Sequence, residues 1–158
     1  MKNNLILIAA CSKNRVIGNK GSIHWDFKTD RNFYKSICTN KTVIMGRNTF
    51  EEINRPLPYC KIIVLSKTLK TAPFGCILCK TLDEAILLCS EDAIIAGGEN
   101  LYKQTISFAK KIYLTIIDKQ IEGDRYFPLF DEKEFTSIEK TSIENGITLH
   151  FIEYTRKN

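Results

Sequence analysis

A chain of 158 residues, 44% hydrophobic and 26% charged, has the length and composition of one ordinary globular domain that can bury a substantial core. Its net charge of +5 is spread along the chain rather than gathered in a stripe, which argues against a nucleic-acid surface and fits a mild attraction for small anions. No stretch approaches the roughly 20 apolar residues of a membrane span, and of the six cysteines only Cys76 and Cys79 have ligand-like spacing, with no second pair to complete a metal site. No metal is therefore expected, the thiols read as small hydrophobes, and the cytoplasm is the expected compartment.

In chain order, residues 4–10 read as a buried strand. Lys2, the apolar residues 5–10 and Cys11 imitate a lipoprotein export signal, yet six apolar residues fall short of the about 7–15 that such a segment needs. Residues 11–28 follow with no clean period and with Gly18 and Gly21 among them; connections of that length tend to be lids or binding loops. A helix is predicted over 29–39, then a strand at 42–45, a short helix at 48–53 and a strand at 61–65. A weaker strand at 76–78 precedes an amphipathic helix at 82–89, and a strand at 93–96 runs into Gly97-Gly98 and a helix reaching residue 108. Residues 111–117 form a long strand rich in branched side chains, and 135–142 with 147–154 close the chain as a hairpin turning at Asn145-Gly146. Strands alternating with helices predict an α/β sandwich around a largely parallel sheet, with the hairpin as an antiparallel edge. Nothing reads as linker or repeat and no apolar stripe is left over, so a single domain over 1–158 and a monomer are expected.

The most informative stretch begins at Thr42. Val43-Ile44-Met45 is an apolar run of strand type, Gly46 lets the chain turn, and Arg47-Asn48-Thr49 opens a helix with Phe50 and Ile53 three apart. A strand that ends in glycine and feeds a helix start offers unpaired N–H groups and, here, a guanidinium, a combination suited to phosphate. A second such corner runs through Ala96-Gly97-Gly98-Glu99-Asn100-Leu101-Tyr102, and Ser66-Lys67 adds a hydroxyl and a cation past another strand. Each corner alone also reads as an ordinary tight turn, and none carries the three spaced glycines of a Rossmann fingerprint. Together they suit a ligand with several phosphates, such as a dinucleotide bearing an extra one.

Asp30 is the other singular residue. On the predicted helix it shares a face with Phe33, Tyr34 and Ile37. A carboxylate on an apolar face is desolvated and its pKa rises, which suits proton chemistry or a grip on a polar heterocycle. An acid in a first helical turn also serves simply to complement the dipole. Trp25, the only tryptophan, either roofs such a pocket or anchors the preceding loop.

Taken in order, Ile8-Ala9-Ala10, Arg15-Val16-Ile17-Gly18, Trp25 with Asp30, Val43 to Thr49, Arg55-Pro56-Leu57-Pro58, Ala96-Gly97-Gly98, Tyr113-Leu114-Thr115 and Glu122-Gly123-Asp124-Arg125-Tyr126-Phe127-Pro128 give the chain, over nearly its whole length, a close resemblance to the dihydrofolate reductase family. The resemblance implies a three-layer α/β sandwich with a mixed, mostly parallel eight-stranded sheet, and reduction of 7,8-dihydrofolate with NADPH as cofactor. On the substrate side it implies that Asp30 binds the pterin amide and amino groups, that Thr115 hydrogen-bonds that carboxylate, and that Trp25 holds a water beside it. Ile8 would offer a backbone carbonyl to the ring, Tyr34 and Ile53 would sandwich the pterin and benzoyl groups, and Ala9, Arg55 and Leu57 would line the same cleft. On the cofactor side, Ala10 and Ile17 would fix the nicotinamide carboxamide beside Gly18, and Arg47, Ser66 and Lys67 would surround the 2′-phosphate. Asn48, Thr49 and the turn of Gly97, Gly98, Glu99, Asn100, Leu101 and Tyr102 would hold the pyrophosphate, with Gly46 and Lys80 lining the same groove. Residues 11–28 would be the lid, steadied by the loop that bears Asp124.

Two departures stand out. Two residues past Arg55-Pro56-Leu57-Pro58 the family places an Arg that pairs with the folate tail carboxylate, and here that position is Cys60; Lys61, next along the strand, is expected to face the other way. Arg31 stands where the family usually has an apolar side chain, so Arg31, with Lys35 one turn on, is the expected compensation. His24 stands where the family often has Pro. The same residues leave open a same-fold reductase of a tail-less dihydropterin, or a nucleotide-binding domain without turnover. The riboflavin-pathway reductase of this fold lacks the Trp25–Asp30 arrangement.

Overall fold

The computed structural model describes residues 4–20, 25–53 and 57–158, so the expectations placed on Lys2, Gly21, His24 and Arg55 fall outside the described residues. Branched apolar runs form the strands and shorter amphipathic runs the helices. They follow in the order β1 (Leu5–Ser12), β2 (Val16–Gly18), α1 (Lys28–Cys38), β3 (Thr42–Gly46), α2 (Arg47–Ile53), β4 (Lys61–Leu65), β5 (Ile77–Cys79), α3 (Leu82–Leu87), β6 (Ala93–Ile95), α4 (Glu99–Thr105), β7 (Ala109–Ile117), β8 (Arg125–Tyr126), β9 (Phe135–Glu144) and β10 (Ile147–Arg156).

The main sheet has eight strands in the order β5-β4-β3-β6-β1-β7-β10-β9. The pairs from β5 to β7 are parallel, and β10 joins β7 antiparallel, with Phe151 opposite Thr115. Alternation then sorts the side chains into two cores. Leu5, Leu7, Ala9 and Cys11 of β1 face one way and pack with Ala85 of α3 and Leu101 and Tyr102 of α4. Ile8, Val43, Met45, Ile62 and Val64 face the other way, under Tyr34 and Ile37 of α1 and Phe50 and Ile53 of α2. The result is the expected three layers. Each buried Leu, Ile or Val contributes about 1.5–3 kcal/mol relative to exposure, which outweighs the modest helix propensity of these short segments.

The expected hairpin closes at Asn145 and Gly146, both at positive φ (51° and 75°), the pairing a two-residue turn between twisted strands requires. Most boundaries differ from the sequence reading by one or two residues, among them β7, β9 and β10, which each run two residues longer. The helix expected to reach residue 108 ends at Thr105 and continues as a tighter turn over Ile106–Phe108. The helix over 82–89 stops at Leu87. Residues 11–28 are not all loop: β1 extends through Ser12, and β2 lies within the segment and pairs with β8. Strands of three and two residues are too short to carry a period, and the partner lies more than a hundred residues away in sequence, so no local signal marks them.

Candidate active site

The site is built along β1 and β7 and at the ends of β3 and β6, where the chain leaves the sheet for α2 and α4. Helix α1 carries Asp30 in its first turn, and its N-terminus is fixed from across the molecule. Phe27 offers no side-chain cap; instead the Glu144 carboxylate, at the end of β9, accepts from Lys28 N at 2.8 Å and from Thr29 N and Oγ1 at 2.9 and 2.6 Å. This satisfies backbone donors that the helix leaves open. Asp30 is thereby set against Thr115, a buried hydroxyl on β7 that hydrogen-bonds its carboxylate. Burial raises the Asp30 pKa above the usual 3.8; the Thr115 bond pulls it down and the Glu144 charge pushes it up.

Next to this acid the structure gathers most of the expected substrate-side residues. Ile8, Tyr34, Ile53 and Leu57 belong to one apolar cluster on the α1–α2 face. Ala9, one residue on, faces the opposite cluster, so only its backbone is open to the Ile8 side. Phe33 turns away from Tyr34 and packs against Phe151 and Tyr113 of the closing strands, with ring centroids 5.1 and 6.0 Å apart. Trp25 packs with Phe27, Ile117 and Leu149. The Ile8 carbonyl accepts the Tyr102 hydroxyl at 2.6 Å. Tyr102, expected at a pyrophosphate turn, thus reaches through the core to the substrate side.

A groove of about 610 Å³ runs alongside. Its walls include Gly46, Arg47, Asn48, Thr49, Ser66, Lys67, Lys80, Gly98, Glu99, Asn100 and Leu101, so the three corners read from sequence converge on one cleft. Gly97 supports it from below: its carbonyl accepts Gly46 N at 2.9 Å, its φ is +125°, and a Cβ there would lie 3.1 Å from Thr49 Oγ1, so only glycine fits. Ala10, Ile17 and Gly18, on β1 and β2, are not among the groove's lining residues. At one end Arg47 donates to Thr68 Oγ1 at 3.0 Å and to Glu51 at 2.7 Å. Ser66 Oγ accepts Thr68 N and Leu69 N at 3.2 and 3.1 Å and shares a hydrogen bond with the Thr68 hydroxyl at 3.3 Å, which links it to Arg47 through Thr68. Lys67 and Lys80 are exposed, and neither joins an ion pair among the described residues. Thr68, Gln104 and Arg125 also line the groove and were given no role from the sequence; Arg125 stands in the 122–128 run that carries the resemblance, whereas nothing local distinguishes the other two.

The segment expected to act as a lid is tied to the Asp124 loop. Asp124 N donates to Gly18 O at 3.1 Å, and Lys20 N lies 3.2 and 3.3 Å from the two Asp124 carboxylate oxygens. Around the two departures, Cys60 is half-buried in the α1–α2 cluster, where burial pushes its thiol up to about 11, so it offers no charge to a carboxylate. Lys61 is exposed and acts electrostatically on Cys89, on the far side of the sheet, as alternation requires. Arg31 is exposed and its guanidinium pairs with Asp26, whereas the Lys35 ammonium lies 5.6 Å from the centre of the Tyr59 ring, beside Cys60. Among the described residues no group of His, Cys, Asp and Glu could hold a metal ion, and no helix is long and apolar enough to cross a membrane.

A family model described as dihydrofolate reductase matches residues 4–156. A dihydrofolate reductase of Bacillus subtilis (strain 168) is 36% identical over 157 residues, covering 96% of this chain and 94% of that protein. One from Buchnera aphidicola subsp. Baizongia pistaciae is 38% identical over 142 residues, covering 89% and 87%. The solved dihydrofolate reductase from Enterococcus faecalis, complexed with NADP(H) and RAB-propyl, superposes with a TM-score of 0.90 at 25% identity and covers 100% of this chain and 99% of its own.

Proposed function

The chain belongs to the dihydrofolate reductase family and reduces 7,8-dihydrofolate to 5,6,7,8-tetrahydrofolate with NADPH, which supplies one-carbon metabolism; from that premise we propose how its own residues divide the work. Asp30 grips the pterin amide and amino groups, Thr115 orients its carboxylate, and Trp25 holds the water that hands a proton to N5. Ile8 O and the side chains of Tyr34, Ile53 and Leu57 bind the ring and the benzoyl group. The observation that carries this reading is a single one: a carboxylate desolvated against a buried hydroxyl, Asp30 on Thr115, beside a groove lined by Arg47, Lys67 and Lys80.

The donor set fits a phosphorylated dinucleotide. Arg47, Ser66, Lys67 and Thr68 would hold the 2′-phosphate, and Thr49 with the Gly97–Gly98 turn the diphosphate. NADPH, when bound, supplies the hydride that C6 of the pterin accepts. The protein's part is to bring the two rings together, to exclude water with the segment over 11–28, and to keep Asp30 poised for the N5 proton, since proximity and one positioned acid provide much of such an acceleration.

At the tail end, Lys35 takes the place of the cation that Cys60 cannot supply, because Arg31 is engaged by Asp26 and Lys35 is the cation beside Tyr59. The test compares Lys35→Ala with the parent on dihydrofolate and on a tail-less dihydropterin. The expected result is a KM for dihydrofolate raised about 3- to 10-fold, in line with loss of one partly screened ion pair, with the tail-less substrate unaffected. An equal effect on both substrates would remove Lys35 from the tail site. Cys60 itself favours a second reading, and a parent enzyme that prefers the tail-less compound would establish it. We further propose that the enzyme is a single domain over 1–158 that works as a cytoplasmic monomer without nucleic acid. Phe74, Leu87, Phe108 and Leu129, among its most exposed apolar side chains, stand on separate loops and segment ends rather than along one face, which supports that reading.

A further inference from the structure

The wall of the groove opposite Arg47 carries a cation that no part of the reading above uses. Arg125, on β8, lies with its guanidinium flat over Gly18: a Cβ on that glycine would meet Nη2, Nε and Cζ at 3.0, 3.1 and 3.2 Å. Nη2 donates to Glu52 Oε1 at 2.9 Å. Glu52 is on α2, one turn past Asn48 and Thr49, so the pair spans from the β2–β8 ribbon to the helix on the other bank of the cleft. Both side chains are largely shielded, 25% and 15% exposed, which sets this bridge apart from the mostly exposed pairs elsewhere on the surface.

We propose that Arg125, held in place by Glu52, is a cofactor-binding residue that contacts the diphosphate of NADPH; this deepens the proposed function and rests on it. A guanidinium has five N–H donors in a fixed fork, and among the described residues only Nη2 has an acceptor within hydrogen-bond range, with Nε 3.8 Å from Asp124 Oδ1. The remaining donors are available to the groove that Arg125 lines. Its position selects which phosphate it meets. The Arg47, Ser66 and Thr68 group is one hydrogen-bonded cluster on the groove's wall. Arg125 belongs to a separate one, where Glu99 of the Gly97–Gly98 turn accepts the backbone N–H of its neighbour Tyr126 at 3.0 Å. The bare Gly18 backbone lets the guanidinium lie this close; a Cβ there would press it back by a few tenths of an ångström. Glu52 is a positioning residue: it holds the fork and acts on the cofactor only through Arg125.

The test is equilibrium binding of NADPH and of NADH, read by quenching of Trp25 fluorescence and by calorimetry, in the parent, Arg125→Gln, Glu52→Ala, the double variant and Arg47→Gln. Arg125→Met, which keeps the stem over Gly18, replaces the Gln variant should that one fail to fold. The diphosphate is common to both cofactors, so Arg125→Gln is expected to weaken NADPH and NADH alike, on the order of tenfold for one charge-assisted contact, with dihydrofolate affinity unmoved. Arg47→Gln is expected to weaken NADPH alone. Glu52→Ala should give a smaller loss, equal for the two cofactors, and the double variant should bind no more weakly than Arg125→Gln. Unchanged affinities in Arg125→Gln overturn the proposal, as does a loss confined to NADPH, which would move Arg125 to the 2′-phosphate; losses that add in the double variant overturn the role of Glu52. A parent protein that binds neither cofactor would fail the proposed function itself, a distinct outcome.

Discussion

Gly123→Ala tests how the lid segment is held. Built on the existing backbone, a Cβ at this position would lie 2.2 Å from Val16 Cγ1 and 2.6 Å from the Gly18 carbonyl oxygen. Val16 is 1% exposed, so its methyl has little space to rotate into, and the second overlap is with backbone, which no rotamer relieves. To reach ordinary contact at 3.4 Å the Gly18 carbonyl must withdraw by about 0.8 Å. That same oxygen accepts Asp124 N at 3.1 Å, and the displacement takes this bond out of range. Overpacking of this kind costs about 1–3 kcal/mol, which corresponds to roughly a 5- to 150-fold loss in the population of the closed β2–β8 ribbon. Because the ribbon is separate from the eight-stranded sheet, the cost is expected to be local. Amide exchange at residues 16–20 and 124–127 should accelerate by that factor and single-turnover reduction should slow, while the denaturant midpoint of the whole protein changes little. Adding Val16→Ala relieves the 2.2 Å overlap but not the carbonyl one, so recovery should be partial. Parent-like exchange and turnover in Gly123→Ala would refute the reasoning; complete rescue by Val16→Ala would show that the backbone overlap is of no consequence.

Two further outcomes follow from the acid. Thr115→Val removes the hydrogen bond that lowers the Asp30 pKa, so the alkaline limb of the pH–rate profile, where the acid loses its proton, should move to higher pH; an unmoved profile would mean that Thr115 does not contact the carboxylate in solution. Asp30→Asn should reduce turnover by about a hundredfold or more and yet stabilise the fold at neutral pH. The sign follows from linkage: with the folded pKa raised, the native state holds its proton more tightly than the unfolded chain, so stability falls as pH rises from the unfolded value through the folded one, and above it the full cost of a buried charge is present. The amide removes that cost. A thermal midpoint at pH 7 higher than the parent's is expected, by about 2–4 °C for each kcal/mol at this chain length, with the difference vanishing as pH falls below the unfolded pKa; a lower midpoint would mean that Asp30 contributes to the fold as an ion.

The sequence by itself determined whatever depends on near neighbours. Val43-Ile44-Met45-Gly46 had to be a strand running into a turn, Asn145-Gly146 had to close a hairpin, and Asp30 had to share a helix face with apolar residues, because period and φ preference are properties of a few consecutive residues. The same holds for the three phosphate-competent corners, each a local signal. Tertiary structure alone decided what those signals meet. Glu144 caps α1 from a strand more than a hundred residues away, Tyr102 bonds the Ile8 carbonyl across the core, and Arg125 pairs with Glu52 over the groove. It also set two neighbouring cations apart, giving Arg31 to Asp26 and leaving Lys35 beside Tyr59. Such pairings depend on where the sheet order brings distant segments together, and that order follows from the summed burial of two apolar faces rather than from any one stretch of chain.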